Sequence, residues 1–192
     1  MRPPRVSDVR VTLPAWVDAA ISWDEPVRSD EARMRVAIGL ARENVVRGTG
    51  GPFGAVVFDE RTALPVAAGV NLVEQQANAI LHAEVVALML AHRAIGRFTL
   101  GAPDLAPHAL ITSCDPCAMC LGAALWSGVR RLVCGADRTD AMGIGFDEGP
   151  VFASSYRYLA ERGVTVVHGV LRDEAARVLA EYHRGGGTIY NG

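Results

Sequence analysis

Four side chains in this sequence have the types and spacing for metal chemistry: His82, Glu84, Cys117 and Cys120. Cys117 and Cys120 are three residues apart and follow Pro116, which suits the turn before a helix. On a helical turn their sulfurs face the same way. The free N–H groups of that first turn favour thiolates over thiols. A neutral imidazole from His82 makes a third ligand. Zinc prefers four, arranged tetrahedrally, so the last position stays open to a water whose pKa falls to about 7. Glu84, two residues from His82, is placed to accept that water's proton. It would return the proton to a ring nitrogen and then to departing ammonia.

Other readings of the same residues stand beside this one. C-x-x-C alone serves as a redox pair, or as half of a four-cysteine structural site. Cys114 and Cys134 do not supply a second C-x-x-C, and a thioredoxin-type motif does not need His-x-Glu. Cys114 is three residues before Cys117 and forms an alternative ligand set, against which Asp115 and Pro116 interrupt helical geometry. Cys134 reads as core filler in an apolar strand. His92, His108, His168 and His183 read as structural or solvated.

The elements that must position these groups alternate. A helix begins at Asp30, read as its N-cap, with Ala32, Val36, Leu40 and Val45 on one face. The runs 55–58 and 66–70 predict a hairpin. Helical patterns over 83–95, 117–127, 155–162 and 173–183 are separated by strands at 108–112, 131–135 and 164–170. The Gly- and acid-rich stretch 137–150 reads as an active-site loop. Both ligand groups fall where a loop meets a helix N-terminus. This order predicts an α/β domain, a mixed sheet with helices on both faces. The organisation expected is an N-terminal extension over 1–29 that packs on the surface, one domain over 30–184, and a flexible tail over 185–192.

Composition excludes several classes. All 19 basic residues are Arg, so Schiff-base lysines and Walker-type phosphate loops are absent. The net charge of -2 gives no basic footprint for nucleic acid. No apolar run reaches membrane-span length, and the start lacks the apolar core of a secretory signal. A cytoplasmic protein with no membrane partner is expected.

The pattern H-x-E…P-C-x-x-C is the signature of zinc deaminases. Over 51–182 the chain resembles bacterial guanine deaminases of the small, cytidine-deaminase-like type. The match lies in Gly51-Pro52-Phe53-Gly54-Ala55, Asn71, His82-Ala83-Glu84-Val85 and the run from Ser113 through Cys117 and Cys120 to Ala123. Thr139-Asp140-Ala141 followed by Gly145-Phe146-Asp147-Glu148 is the most discriminating stretch. The resemblance implies a three-layer α/β/α cytidine-deaminase-like fold with about five strands. It implies one Zn2+ per subunit on His82, Cys117 and Cys120, and hydrolysis of guanine at C2 to xanthine and ammonia with Glu84 as proton shuttle. It places Asn71 on the purine's polar edge, Phe53 on its face, and Ala83 at the substrate. Glu148, where several relatives have Asp, would accept from the guanine N–H groups and help protonate the amine; its plain alternative is a solvated loop acid. Trp126 becomes a pocket wall or dimer contact, with a core role as the alternative. A homodimer is implied, in which Tyr190 closes the site as a lid, in its own subunit or swapped into a partner, rather than fraying. Ammeline-like triazines, cytosine or cytidine, and tRNA adenosine remain alternative substrates, as does a deaminase fold that has lost activity.

Overall fold

The computed structural model describes residues 8–191. Five strands form one sheet: β1 (Gly54–Asp59), β2 (Pro65–Val70), β3 (His108–Cys114), β4 (Arg131–Ala136) and β5 (Thr165–Val167), in the order β2-β1-β3-β4-β5. β1 runs antiparallel to β2 and β3, while β3, β4 and β5 are mutually parallel. The helices are α1 (Ala15–Ala19), α2 (Asp30–Val46), α3 (Ala83–Ile95), α4 (Ala118–Ser127), α5 (Arg138–Met142), α6 (Ala153–Glu161) and α7 (Arg172–Arg184).

Strand periodicity sorts the apolar residues into two cores. Val56, Phe58, Ile111 and Val133 point to one face, where Met34, Ile38 and Ala41 of α2 and Val178 and Leu179 of α7 cover them. Ala55, Val57, Leu110 and Leu132 point to the other, against Ala87 and Leu88 of α3, Leu121 and Ala124 of α4, and Leu159 of α6. The mixed sheet in three layers is therefore the expected architecture.

Several local expectations change. The N-cap of α2 is Ser29, whose Oγ accepts from the Ala32 N–H at 3.2 Å. Asp30 instead holds Arg131 through two hydrogen bonds, of 2.6 and 2.5 Å, tying α2 to β4. The buried apolar face of α2 is Met34, Ala37, Ile38, Leu40 and Ala41; of the expected stripe Leu40 is buried, and Val36 and Val45 pack at its margin. β5 stops at Val167, because Gly169 takes a left-handed φ of 74° and turns the chain. Within residues 8–29, α1 sends an apolar side chain into the core. Val17 of α1 is 0% exposed within the α2–α7 core, and the Trp16 indole N–H donates to Thr49 at 3.1 Å. Five residues are too few for a 3.6-residue period to show in sequence.

Gly69 lets α3 sit against the sheet. A Cβ there would lie 2.2 Å from the Ala83 carbonyl oxygen and 2.5 Å from the Ala87 nitrogen. Gly69→Ala should therefore push the first turn of α3, with His82 and Glu84, away from β2. A loss on the order of 1–3 kcal/mol is expected, together with weaker zinc binding, read by thermal denaturation and metal titration. Unchanged zinc affinity would show that α3 absorbs the shift elsewhere.

Candidate metal centre and substrate cavity

His82 and Cys117 occupy the same place on two helices. Each is an N-cap with extended backbone, His82 on α3 and Cys117 on α4. Cys120 is the third residue of α4 and Glu84 the second of α3. Both helix N-termini thus face one point, where their dipoles favour negative charge. His82 Nδ1 stands 3.5 Å from Cys117 Sγ and 3.5 Å from Cys120 Sγ. Tetrahedral zinc with ordinary Zn–N and Zn–S bonds sets such donors about 3.5 Å apart. These three side chains therefore fit the ion without rearrangement. Cys114 lies apart, its thiol facing the Asp137 carbonyl at 3.8 Å, and Cys134 is fully buried in β4. Neither joins the ligand set.

The charges support the fit. The hydrogen bond from Cys120, above all, brings Cys117 down to about 4 although burial opposes it. Cys120, the donor in that bond, is correspondingly raised. Burial works against a charged His82, but the bond to Cys117 and the neighbouring acids raise it on balance.

Glu84 is 6% exposed, and burial, then the Cys117 charge, raises its carboxyl. Glu148 is also 6% exposed and is not the solvated loop acid that its sequence context allows. Burial, followed by the charges of Cys117 and Glu84, lifts it to about 8. In the metal-free site this favours the protonated carboxyl near neutral pH, in which one oxygen accepts while the other donates. The folded value lies above the ordinary 4.5, so the native state keeps a proton that the unfolded chain releases. That contribution to stability is complete below about pH 4.5 and is lost as pH rises through about 8. Cys117 titrates in the opposite sense, so the comparison must be differential. In metal-free protein, the Tm advantage of Glu148→Gln over wild type should grow between pH 5 and 8. A constant advantage would mean that Glu148 ionises normally.

Phe53, His82, Glu84, Asp115, Cys117, Glu148, Tyr190 and Asn191 line one small cavity beside these groups. Phe53 packs edge-on against Phe146 at 5.2 Å, and Phe146 meets Tyr190 at 5.0 Å. Ala83 is fully buried in the first turn of α3, between ligand and acid. Asn71 is fixed by two contacts: its carbonyl accepts from buried Asn44 at 2.9 Å, and its Oδ1 accepts from the Val73 N–H at 3.3 Å. Its Nδ2 is left buried without a partner. Trp126 is 79% exposed, outside the core, and does not border this cavity.

Residues 185–191 fold back onto their own chain. The Tyr182 hydroxyl donates to the Thr188 carbonyl at 2.7 Å, and Gly187 packs so tightly on the Tyr182 ring that a Cβ would lie 2.3 Å from it. Tyr190 then reaches its own chain's site, 6.3 Å from the His82 ring between centroids. Its hydroxyl and the Asn71 amide crowd Gly51, where a Cβ would fall 2.6 Å from Tyr190 Oη and 3.2 Å from Asn71 Oδ1. The cavity beneath has a volume of about 10 Å³, room for a single water and not for a heterocycle. Gly192 lies outside the described residues.

Sequence reasoning missed Asp115 and Asn191. Asp115 sits inside the cysteine motif, where it reads only as a helix breaker; it borders the cavity and pairs with His168 at 2.8 Å. Asn191 falls in a glycine-rich terminus that carries no periodic signal.

The pattern of the cytidine and deoxycytidylate deaminase zinc-binding region matches residues 27–136, and the chain belongs to that family. The guanine deaminase of Bacillus subtilis is 37% identical over 134 residues, spanning 70% of this chain and 81% of its own. The solved guanine deaminase of Nitrosomonas europaea is 39% identical with a TM-score of 0.89, covering 95% of this chain and all (100%) of that one. A structure in complex with 2,6-diaminopurine is 42% identical with a TM-score of 0.88, covering 95% and 96%. Zinc is thus the metal of the family, and the donor set described above suits it. Among the described residues no helix is long and apolar enough to cross a membrane.

Proposed function

We propose that this protein hydrolyses guanine to xanthine and ammonia. The observation that carries the reading is a second buried acid, Glu148, facing the same small cavity as Glu84 and the ligand trio. A zinc site with one carboxylate serves many amino-heterocycles. A protonated carboxyl across the cavity adds an acceptor and a donor suited to guanine's N–H edge and departing amine. Asn71 supplies a free donor for a purine acceptor, and Phe53 an aromatic face.

Zinc, when bound, supplies a water with a pKa near 7. Glu84 takes one proton from the attacking water as its oxygen bonds to C2, and gives that proton to the adjacent ring nitrogen. Glu148 donates its proton to the amino nitrogen. The C2–N bond breaks, ammonia leaves, and the remaining hydroxyl proton passes to Glu148, leaving C2=O. Burial suits both acids to this exchange, since each raised value favours holding a proton in transit.

The cavity volume requires Tyr190 to give way before a base enters. The 6.3 Å separation of the Tyr190 and His82 rings supports an unswapped lid as part of the proposal. A homodimer is also proposed. Trp126, Phe152 and Tyr158 are exposed by 79%, 63% and 42%, on the α4 and α6 side of the molecule. A second copy would cover such a surface.

Ammonia release from guanine, ammeline, adenine, cytosine, cytidine and a tRNA anticodon stem tests the reading. Guanine should be the best substrate. Turnover of another base without guanine would overturn the substrate assignment and leave the metal centre standing. The net charge of -2 favours a free base over tRNA, whose phosphates need a positive surface.

A further inference from the structure

Asn191 clasps the loop that carries Glu148. Its backbone carbonyl accepts from the Asp147 N–H at 3.0 Å, and its Nδ2 donates to the Asp147 carbonyl at 2.8 Å. A carbonyl only accepts, so this bond settles which amide atom is the oxygen. Oδ1 is thereby left buried, without a partner, on a residue that borders the cavity. Tyr190 Oη shares that condition, and Asn71 Nδ2 is likewise buried without a partner, on a residue that meets Tyr190 around Gly51. Buried polar atoms are nearly always satisfied, and one left bare beside a cavity marks where a ligand atom belongs.

Resting on the guanine reading, we infer that Asn191 Oδ1 accepts the imidazole-ring N–H of the bound purine, so that the site selects the free base over N-substituted forms. On guanine the N1–H and amino protons belong to the reacting edge beside Glu84 and Glu148. The one N–H left on a free purine is on the imidazole ring, and Asn191 offers an acceptor with no other use. A nucleoside carries a glycosidic bond in place of that proton and presents nothing to Oδ1. The other orphans complete the match: Asn71 donates to a ring or carbonyl acceptor, and the Tyr190 hydroxyl serves either role.

The test compares guanine with 9-methylguanine, which has no imidazole N–H, in wild type and Asn191→Ala. Wild type should prefer guanine. Asn191→Ala should lower kcat/KM for guanine about ten- to a hundredfold more than for 9-methylguanine, collapsing the preference. Loss of the clasp to Asp147 alone would slow both bases equally, and that outcome overturns the inference. Unchanged rates for both overturn it as well. Calorimetric binding of hypoxanthine and 9-methylhypoxanthine, which have no amine to lose, makes the same comparison without turnover. A selective loss of hypoxanthine binding in Asn191→Ala supports the inference even if guanine is not hydrolysed. No wild-type preference for hypoxanthine overturns it.

Discussion

Glu84→Gln should stop turnover while leaving zinc bound. The side chain is 6% exposed, two residues from a metal ligand, and forms part of the cavity wall. Glutamine keeps the shape and one acceptor oxygen but carries no proton between water and substrate. General acid–base groups contribute typically about 10²- to 10⁴-fold, and here one carboxyl acts in more than one step, so a fall at the upper end is expected. Removing a buried carboxyl whose ionised form is disfavoured should also raise thermal stability slightly. The measurements are kcat for ammonia release and zinc per chain by elemental analysis. Activity within tenfold of wild type, with full zinc, would remove Glu84 from the mechanism.

Cys120→Ser should abolish both metal and activity. Three donors within 4.8 Å of one another, with His82 Nδ1 3.5 Å from each sulfur, make a preformed site. A serine hydroxyl is a poor zinc ligand beside a thiolate. The variant should purify with much less than one zinc per chain. It should also lose the stabilisation that zinc confers on wild type, about 4 kcal/mol when free zinc is a thousand times its Kd. The direct reading is Tm with and without added zinc. A wild-type-sized zinc shift in Cys120→Ser would point to ligands other than His82, Cys117 and Cys120.

The metal centre and the layered fold were legible because their signals are local or periodic. His82-x-Glu84 and Cys117-x-x-Cys120 each lie within one helical turn, and the chain order of strands and helices fixes which faces the helices cover. What escaped depends on contacts between distant segments. Val17 belongs to the core through a five-residue helix with no visible period. Ser29 rather than Asp30 caps α2 because Asp30 is drawn to Arg131, 101 residues away. Trp126 was singled out by resemblance as pocket wall or dimer contact, and its 79% exposure excludes only the core alternative. Glu148 was recognised by resemblance, and its raised value comes from burial and the nearby Cys117 and Glu84 charges, which only the folded chain brings together. Asn191 came from neither source, since its role rests on one backbone clasp to Asp147.

That clasp divides the labour along the chain. The family pattern ends at residue 136, with the ligands and Glu84 inside it. Glu148, Tyr190 and Asn191 all lie beyond it, while Phe53 and Asn71 contribute from within. Changes confined to the 147–148 loop and the 185–191 tail would therefore alter what surrounds the base without touching the metal ligands or Glu84.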